Sequence, residues 1–419
     1  MFDLESLGQN AVQASYGLAR LSEQEKNKVL LHVADALVVQ SEMILQGNEK
    51  DILAAKENGI REAMIDRLSL TKERIEGMAE GIRQIAALPD PVGEVLETFE
   101  RPNGLQISKV RVPLGVVGII YESRPNVTAD AFGLCFKAGN AVILKGGKEA
   151  IHTNIAIVDV IRQAIRDMEK EFRLDEHVIG LITDTSREVT NAFMKLKQYV
   201  DVLIPRGGAG LISAVVENST IPVIETGTGN CHIYVDEYAD MEKAVPIIVN
   251  AKTQRVSVCN TCESLVVHEA VAEKFLPLLQ KAMAEKKVEL RGDADCLRIL
   301  PDLTEATEED FMTEYLDYIL SMKTVSSVEE AIEHINRCST KHSEAIITES
   351  EEHANQFLQG ISSACVYVNA STRFTDGFEF GFGAEIGISN QKLHARGPMG
   401  LREMTTYQYR IKGNGQIRC

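Results

Sequence analysis

From Val112 onwards, short apolar runs rich in β-branched residues alternate with longer amphipathic segments. The apolar runs lie at 116–120, 141–144, 178–182, 202–205 and 222–224. The helix-like segments between them lie near 128–138, 151–171, 186–197 and 209–217. This alternation predicts an α/β fold, in which a parallel sheet carries helices on both faces. Ligands of such sheets bind at the carboxyl ends of the strands, so polar residues directly after these runs are the first candidates for a functional site.

The flanking regions have different patterns. The first hundred residues read as helix, with a capping box at Ser22 and Glu25 and a helix that should stop at Pro89. After Gly229 a second α/β segment begins, with strand-like runs at 232–235 and 264–267 and helix-like stretches at 241–251 and 270–286. Residues 291–317 are acidic and are expected to be irregular, and residues 369–400 are rich in loop signals.

Composition excludes several functional classes. The 419 residues include 44 basic and 61 acidic side chains, a formal net charge of −17, which disfavours nucleic acid and anionic membranes as partners. No apolar run reaches the length of a membrane span, and the first residues lack the features of a signal peptide. Eight cysteines are too sparse for a disulfide scaffold. We therefore expect a cytoplasmic protein with reduced thiols.

A pair of cysteines, Cys259 and Cys262, follows a stretch of small polar and basic residues and precedes a strand-like run. A reactive thiol needs surroundings that favour the thiolate, which the N–H groups of a helix start, with Lys252 or Arg255 nearby, would supply. A buried structural cysteine and a redox pair are the alternatives. A structural zinc site needs a second closely spaced ligand pair, which this sequence lacks, so no metal is expected.

Polar residues follow three of the apolar runs. Glu225 comes after the run at 222–224, where it would act as an acid or base or would only cap the turn. The run at 202–205 leads into a glycine turn suited to a phosphate, although glycine is also used there for purely steric reasons. Two lysines after the run at 141–144 suit a phosphorylated nucleotide or form a solvated loop. The glycines of the turn are Gly207, Gly208 and Gly210, and the two lysines are Lys145 and Lys148.

A further polar cluster after the first run contains Glu122, Arg124 and Asn126. The amide of an asparagine is able to donate to an oxyanion, but asparagine is also a common turn residue.

Together these features resemble the aldehyde dehydrogenase superfamily. Glu225 precedes Cys259 by 34 residues, similar to the spacing of the general base and the nucleophile there, and residues 139–145 look like its adenosine-binding strand and lysine. Longer stretches resemble one family within it, the γ-glutamyl phosphate reductases; they lie at 121–128, 252–260, 325–346, 368–389 and 394–400. Cys338 departs from that family's pattern, which has Tyr or His at this position.

The resemblance implies a fold and an activity. The fold is aldehyde dehydrogenase-like: a Rossmann-type cofactor domain (1–98 and 113–228), an α/β catalytic domain (229–367), a return segment lining the cleft (368–401) and a small β oligomerisation extension (99–112 and 402–419). The activity is the NADPH-dependent reduction of L-glutamate 5-phosphate to the 5-semialdehyde, a step of proline biosynthesis. The alternatives are a related enzyme acting on another acyl donor, and a nucleotide-binding protein without catalysis.

The resemblance also implies roles for residues. Cys259 would be the nucleophile, with Asn126 and the Cys259 N–H as oxyanion donors, and Glu225 would either be turned away or handle a proton. Lys148 replaces the carboxylate that binds the ribose in NAD-using relatives, which favours NADPH. The expected cofactor-binding residues are Lys145, Lys148, Gly207, Gly208, Gly210 and Gly227. The expected substrate-binding residues are Glu122, Arg124, Arg255, Arg373, Glu385 and Arg396. A homo-oligomer is expected, and glutamate 5-kinase is a candidate partner.

Overall fold

Two parallel sheets organise the computed structural model, which describes residues 2–122 and 124–418. Ser123 and the eighth cysteine, Cys419, lie outside the described residues. The helices are α1 (Leu4–Leu18), α2 (Glu23–Val39), α3 (Ser41–Glu57), α4 (Glu62–Leu68), α5 (Lys72–Ala87), α6 (Asn126–Lys137), α7 (Ile151–Phe172), α8 (Arg187–Phe193), α9 (Ala209–Asn218), α10 (Met241–Thr253), α11 (Glu269–Glu285), α12 (Ala294–Ile299), α13 (Val328–Cys338) and α14 (Glu351–Gly360). The strands are β1 (Val95–Glu100), β2 (Gln106–Pro113), β3 (Val116–Tyr121), β4 (Ala141–Gly146), β5 (Ile179–Leu181), β6 (Val202–Arg206), β7 (Cys231–Val235), β8 (Cys262–His268), β9 (Glu289–Gly292), β10 (Thr304–Glu305), β11 (Ile319–Val325), β12 (Ser343–Ile347), β13 (Cys365–Val368), β14 (Ile388–Ser389), β15 (Gly397–Pro398) and β16 (Thr405–Lys412).

The chain forms two units. The first contains Met1–Glu225, Gly381–Gly387 and Met399–Cys419, and the second contains Thr226–Phe380 and Ile388–Pro398. Each has its own parallel sheet, which confirms the predicted α/β class. The roles assigned to the predicted domains stay predictions.

The first unit is built on a four-stranded parallel sheet in the order β5-β4-β3-β6. Every residue of β3 and β4 is buried, as expected for strands covered on both faces. The strand predicted at 222–224 is wrong. Val223 forms only a single bridge to Leu203, because Pro222 has no N–H with which to extend the pairing.

The helical part of the first unit follows its local signals. The capping box of α2 is present, with the Ser22 N–H donating to Glu25 at 2.7 Å. Helix α5 ends at Ala87, two residues before Pro89, as the sequence predicted. Among the described residues no single helix is long and apolar enough to cross a membrane. Helices α2 and α3 meet such a criterion only when taken together, and they are bent by 64° at the break between them.

A separate antiparallel sheet in the first unit has the order β1-β2-β16. The C-terminal strand β16 pairs with β2 over its whole length, and all of its residues after Thr405 are exposed. Its outer edge carries no further strand within the described residues.

The second unit contains a seven-stranded sheet in the order β10-β9-β11-β8-β7-β12-β13, and all neighbouring strands are parallel. The strands β7 and β8 are fully buried near its middle, which confirms the strand-like runs predicted there. The irregular region expected at 291–317 is partly wrong. It contains the end of β9, the short helix α12 and the two-residue strand β10, since pairing at the sheet edge orders a segment whose local pattern is weak.

Candidate active site

Cys259 lies in a turn between the end of α10 and the start of β8, and we call residues 254–261 the thiol turn. The prediction that a helix start would surround this thiol is wrong, because the turn leads into a strand and not into a helix. Of the seven cysteines that the structure describes, six are buried and Cys259 alone is partly exposed. A nucleophile must be accessible, so exposure favours Cys259 over the other described thiols.

Hydrogen bonds attach the thiol turn to the 3₁₀ helix Thr372–Phe374. Asn260 donates from Nδ2 to the carbonyl of Thr375 at 2.9 Å, and the Thr372 hydroxyl donates to the carbonyl of Asn260 at 2.8 Å. Within the turn, the Thr261 hydroxyl donates to the carbonyl of Arg255 at 2.8 Å. The return segment therefore brings Arg373 beside the thiol turn.

Arg373 is the basic residue that the structure couples to the thiol. Its side chain is half-buried and donates from Nε to Gln254 at 2.8 Å. Burial lowers the pKa of Arg373, while the charge of the Cys259 thiolate opposes that change. Charge interactions are mutual, so Arg373 in turn favours the ionised thiolate of Cys259.

Lys252, the other basic residue expected near the thiol, has a different partner. Its ammonium is fully buried and forms an ion pair with Glu263 at 2.5 Å. Burial raises the pKa of Glu263 above its ordinary value, and Lys252 opposes that rise. The ion pair with Glu263 compensates the charge of Lys252, which disfavours Lys252 as the basic residue that supports the thiolate.

The second cysteine of the pair, Cys262, is the first residue of the buried strand β8. Its S–H donates to the carbonyl of Ser264 in the same strand at 3.4 Å. Burial raises the pKa of Cys262, which keeps this thiol protonated. No group of three or more described His, Cys, Asp or Glu residues is arranged to hold a metal ion, so the pair forms no metal centre with them.

Three further predicted residues lie in the second unit. Arg255 is exposed on the thiol turn, and Arg396 is exposed and donates to the carbonyl of Ser362 at 2.8 Å. Gly227 lies against Asn390, whose Nδ2 would be only 1.9 Å from a Cβ at this position. A side chain at Gly227 is therefore excluded by the chain itself, and the residue's role toward a cofactor stays a prediction.

In the first unit, the candidate residues gather at the carboxyl ends of three neighbouring strands. Register pairs Tyr121 of β3 with Gly146 of β4 on one side and with Arg206 of β6 on the other. Glu122, Lys145 and the glycine turn at 207–210 consequently lie at the same edge of the sheet. This is the arrangement that the sequence predicted for a nucleotide site.

The glycine turn has an internal partner that sequence reasoning missed. The N–H of Gly208 donates to the Glu122 carboxylate at 3.0 Å, directly before α9 begins. A Cβ at Gly207 would lie 2.6 Å from the same carboxylate oxygen. The carboxylate of Glu122 therefore stabilises the turn, and its predicted contact with a substrate stays a prediction.

The two lysines differ in exposure. Lys145 is buried and donates to the carbonyl of Gly146 at 3.2 Å; burial lowers its pKa, while Asp184 and Glu149 oppose that change. Lys148 is exposed and has no ion pair among the described residues. One cation is thus fixed at the strand end, and the other is accessible to a ligand.

The remaining predicted residues also belong to the first unit. Asn126 is the first residue of α6 and donates from Nδ2 to Asp130 at 2.9 Å, and burial raises the pKa of Asp130 to about 6. Arg124 is exposed, while Glu225 and Glu385 are half-buried. Their catalytic and substrate-binding roles stay predictions.

Sequence reasoning missed Gly229 and Cys231 as neighbours of Cys259. A Cβ at Gly229 would lie 1.4 Å from the carbonyl oxygen of Cys259, and the S–H of Cys231 donates to the same oxygen at 3.2 Å. No local motif signals these contacts, because they arise when β7 pairs with β8.

Comparison with known proteins identifies the family to which the chain is similar. The model of the aldehyde dehydrogenase family matches residues 3–297 and 301–408. The γ-glutamyl phosphate reductase of Lachnospira eligens is 60% identical over 418 residues, covering 100% of both chains. The crystal structure of γ-glutamyl phosphate reductase from Thermotoga maritima superposes with a TM-score of 0.97 at 47% identity, also covering 100% of both chains.

A more distant likeness shows the fold alone. An acetylating aldehyde dehydrogenase from Geobacillus thermoglucosidasius is 19% identical, with a TM-score of 0.66 over 99% of this chain and 97% of that one. The full-length matches at much higher identity decide the family. The chain belongs to the aldehyde dehydrogenase family and, within it, to the γ-glutamyl phosphate reductases.

Proposed function

We propose that this protein reduces L-glutamate 5-phosphate to L-glutamate 5-semialdehyde and phosphate, using a nicotinamide cofactor, as a step of proline biosynthesis. The observation that carries the proposal is one partly exposed thiol beside a guanidinium, in a chain that matches γ-glutamyl phosphate reductases over its full length. A thiolate is the nucleophile that an activated acyl group requires, and covalent capture divides one difficult step into two easier ones.

In this mechanism the Cys259 thiolate attacks the carbonyl carbon of the acyl phosphate. The electron pair of the broken C–O bond leaves with phosphate, and a thioester on Cys259 remains. When bound, a nicotinamide cofactor would supply the hydride that this carbonyl carbon accepts. The thiohemiacetal oxyanion left on Cys259 would then collapse to the aldehyde as its C–S bond breaks, which returns the thiolate to Cys259.

Three basic residues of the second unit fit these charges. Phosphate and the substrate carboxylate are anions, and a guanidinium binds either of them bidentately. Arg373 favours the thiolate, and exposed Arg255 and Arg396 remain candidates for the two anionic groups. In this proposal, Asn126 and the Cys259 N–H donate to the oxyanion, and Glu225 handles a proton. Arg124 and Glu385 contact the substrate.

Residues of the first unit fit a nucleotide with a phosphorylated ribose. The strand ends combine exposed glycines, at Gly207, Gly208 and Gly210, with the buried cation of Lys145 and the exposed cation of Lys148. An ammonium attracts a 2′-phosphate, whereas a carboxylate at this position would repel it. We therefore favour NADPH over NADH.

Partners and compartment complete the proposal. The exposed edge of β16 suits pairing with another copy of the chain, which is how a homo-oligomer would form. A glutamate 5-kinase is the partner that would deliver the labile acyl phosphate. Free thiols throughout the described residues favour a reducing compartment, which is the cytoplasm.

The decisive experiment runs the reaction in reverse, with glutamate 5-semialdehyde and NADP⁺, and supplies phosphate, coenzyme A or water alone as the acyl acceptor. Reduction of NADP⁺ that depends on phosphate supports the proposal. Equal rates without phosphate indicate a hydrolytic enzyme, and dependence on coenzyme A indicates another acyl donor. Light scattering of the purified protein tests the oligomer separately.

A further inference from the structure

The carbonyl oxygen of Cys259 is held by a short segment ahead of β7. Gly229 packs against this oxygen so closely that no side chain is tolerated there, and the S–H of Cys231 donates to it at 3.2 Å. Cys231 is completely buried, while the thiol turn that it contacts is not. The backbone of the reactive cysteine is thus in contact with a second, inaccessible cysteine.

We infer that Cys231 is a positioning residue: its S–H fixes the Cys259 carbonyl, and thereby the backbone that carries the reactive thiol. The inference rests on the proposed function, in which Cys259 forms the thioester. Cys231 is inaccessible to substrate and acts only through Cys259.

The direction of this hydrogen bond follows from the protonation of Cys231. Burial raises the pKa of the Cys231 thiol well above its ordinary value, and the charge of Glu344 raises it further, while a backbone hydrogen bond from Ser343 opposes the rise. The thiol therefore keeps its proton, and a carbonyl oxygen only accepts. The donor remains present at every pH at which the enzyme would work.

A neutral histidine also lies close to Cys231. His342 lies with Nδ1 3.7 Å from the Cys231 sulfur and 2.8 Å from the Ser343 hydroxyl. Burial lowers the pKa of His342 to about 4, so the ring is uncharged near neutral pH. The Ser343 hydroxyl continues to Thr375 at 2.7 Å, and Thr375 is the residue whose carbonyl holds Asn260. One buried polar network thus reaches the nucleophile from two sides.

The segment that carries Cys231 is itself anchored. The Gly229 N–H donates to Glu314 at 2.7 Å. The Asn230 N–H donates to the Thr340 hydroxyl at 2.9 Å, and its Nδ2 donates to the carbonyl of Phe311 at 2.8 Å. A donor on a fixed backbone restricts its acceptor, whereas a donor on a mobile loop would follow it.

The test compares three replacements of Cys231 with a matched control. Cys231→Ser keeps a donor, whereas Cys231→Ala and Cys231→Val remove it and differ in the volume they leave. Cys262→Ala is the control, because Cys262 is equally buried but donates to its own strand. Each variant is assayed for kcat, KM, thermal unfolding and the rate at which iodoacetamide alkylates Cys259, measured by peptide mass spectrometry from pH 6 to pH 10 (roughly the range in which thiols ionise).

We expect Cys231→Ala and Cys231→Val to lower kcat by about 10- to 100-fold with KM changed by less than about threefold, since a displaced nucleophile loses rate more than binding. In both variants the pH dependence of Cys259 alkylation should also differ from that of the wild type. Cys231→Ser should restore kcat to within about threefold of the wild type.

Three results would overturn the inference: wild-type kcat and alkylation in Cys231→Ala, a loss in Cys231→Ser as large as in Cys231→Ala, or an equal loss in Cys262→Ala. Failure of the proposed function is distinguishable. It would appear as turnover that survives Cys259→Ala, while the alkylation profile would still report whether Cys231 positions Cys259.

Discussion

The strand ends of the first unit and the thiol turn of the second unit present their polar groups in opposite ways. At the strand ends, Lys148 and the glycines are exposed, and few internal bonds restrain them. Around the thiol turn, Cys231, Asn260 and His342 are buried. Cys231 donates a hydrogen bond to the carbonyl of Cys259, and Asn260 donates one to the carbonyl of Thr375. The candidate nucleotide region thus leaves its charges available to a ligand, whereas the candidate reacting thiol is surrounded by buried groups that hold its backbone.

The two regions also use opposite ends of their sheets. The candidate nucleotide residues follow the carboxyl ends of β3, β4 and β6, in agreement with the general rule for open parallel sheets. Cys259 and Cys231 instead lie at the amino ends of β8 and β7. The rule that located the first region from sequence therefore could not locate the surroundings of the thiol.

The largest effect should come from the thiols. We expect Cys259→Ala to lower turnover by on the order of a thousandfold or more, because it removes the nucleophile, while Cys262→Ala keeps most activity. A steady-state assay of NADPH oxidation measures both. Equal losses in the two variants would revive a dithiol mechanism and would erase the distinction between exposed and buried thiols.

The next effect concerns the buried ion pair behind the thiol turn. Lys252→Met should lower the free energy of unfolding by about 3–5 kcal/mol, since it leaves Glu263 buried without its partner. Denaturant titration followed by circular dichroism measures this.

The matched control for that variant is the exposed pair Lys28–Glu171 of the first unit, at 3.1 Å. Glu171→Gln should cost no more than about 1 kcal/mol, because solvent screens the pair. The double variant Lys252→Met/Glu263→Leu should recover much of the loss. Similar costs for the two single variants would contradict the expected difference between a buried and an exposed ion pair.

A smaller effect is expected at the exposed cation of the strand ends. Lys148→Glu should shift the preference between NADPH and NADH toward NADH by about tenfold, since it replaces an attraction to the 2′-phosphate by a repulsion. Comparing kcat/KM for both cofactors tests this, and the shift should weaken as salt is added. An unchanged ratio would remove Lys148 from the cofactor site, with Lys148→Gln serving as the neutral control.

The smallest effect is a pH dependence in the second unit, at the opposite end of its sheet from the thiol turn. Burial alone would lower the pKa of His353, but its hydrogen bond at 2.9 Å to buried Asp236 and the nearby Glu237 and Glu352 carboxylates raise the pKa above 6.5. The charged ring therefore stabilises the fold fully below pH 6.5, and this contribution is lost as the pH rises through the folded-state pKa.

The contribution of His353 should be about 1 kcal/mol or less. Urea titrations between pH 5 and pH 9 (about the span over which histidine changes charge) should show a fall in unfolding free energy that His353→Gln flattens. A slope identical in both proteins would assign the pH dependence to other groups.

Local signals predicted the parts of the chain that depend on neighbours in sequence. Helix α2 begins where Ser22 and Glu25 form a capping box, and α5 stops before Pro89. Continuous apolar runs identified β3 and β4, because buried parallel strands need apolar residues on both faces. The two failures have different causes. At Val223 the bridge to Leu203 is not extended, because Pro222 has no N–H, whereas at β10 pairing with the distant strand β9 orders the segment.

By itself the sequence determined the α/β class and the family resemblance, and it predicted Cys259 as the reactive thiol and the strand-end turns as a nucleotide site. Each of these depends on residue type and spacing within a short stretch. Only the tertiary structure decided that Lys252 is neutralised by Glu263, that Glu122 caps the glycine turn, and that Cys231 holds the carbonyl of Cys259. The last two contacts join residues 86 and 28 positions apart, which meet only after strands pair in parallel. Pairing of Lys252 with Glu263 needs the thiol turn to fold back and both charges to be buried together.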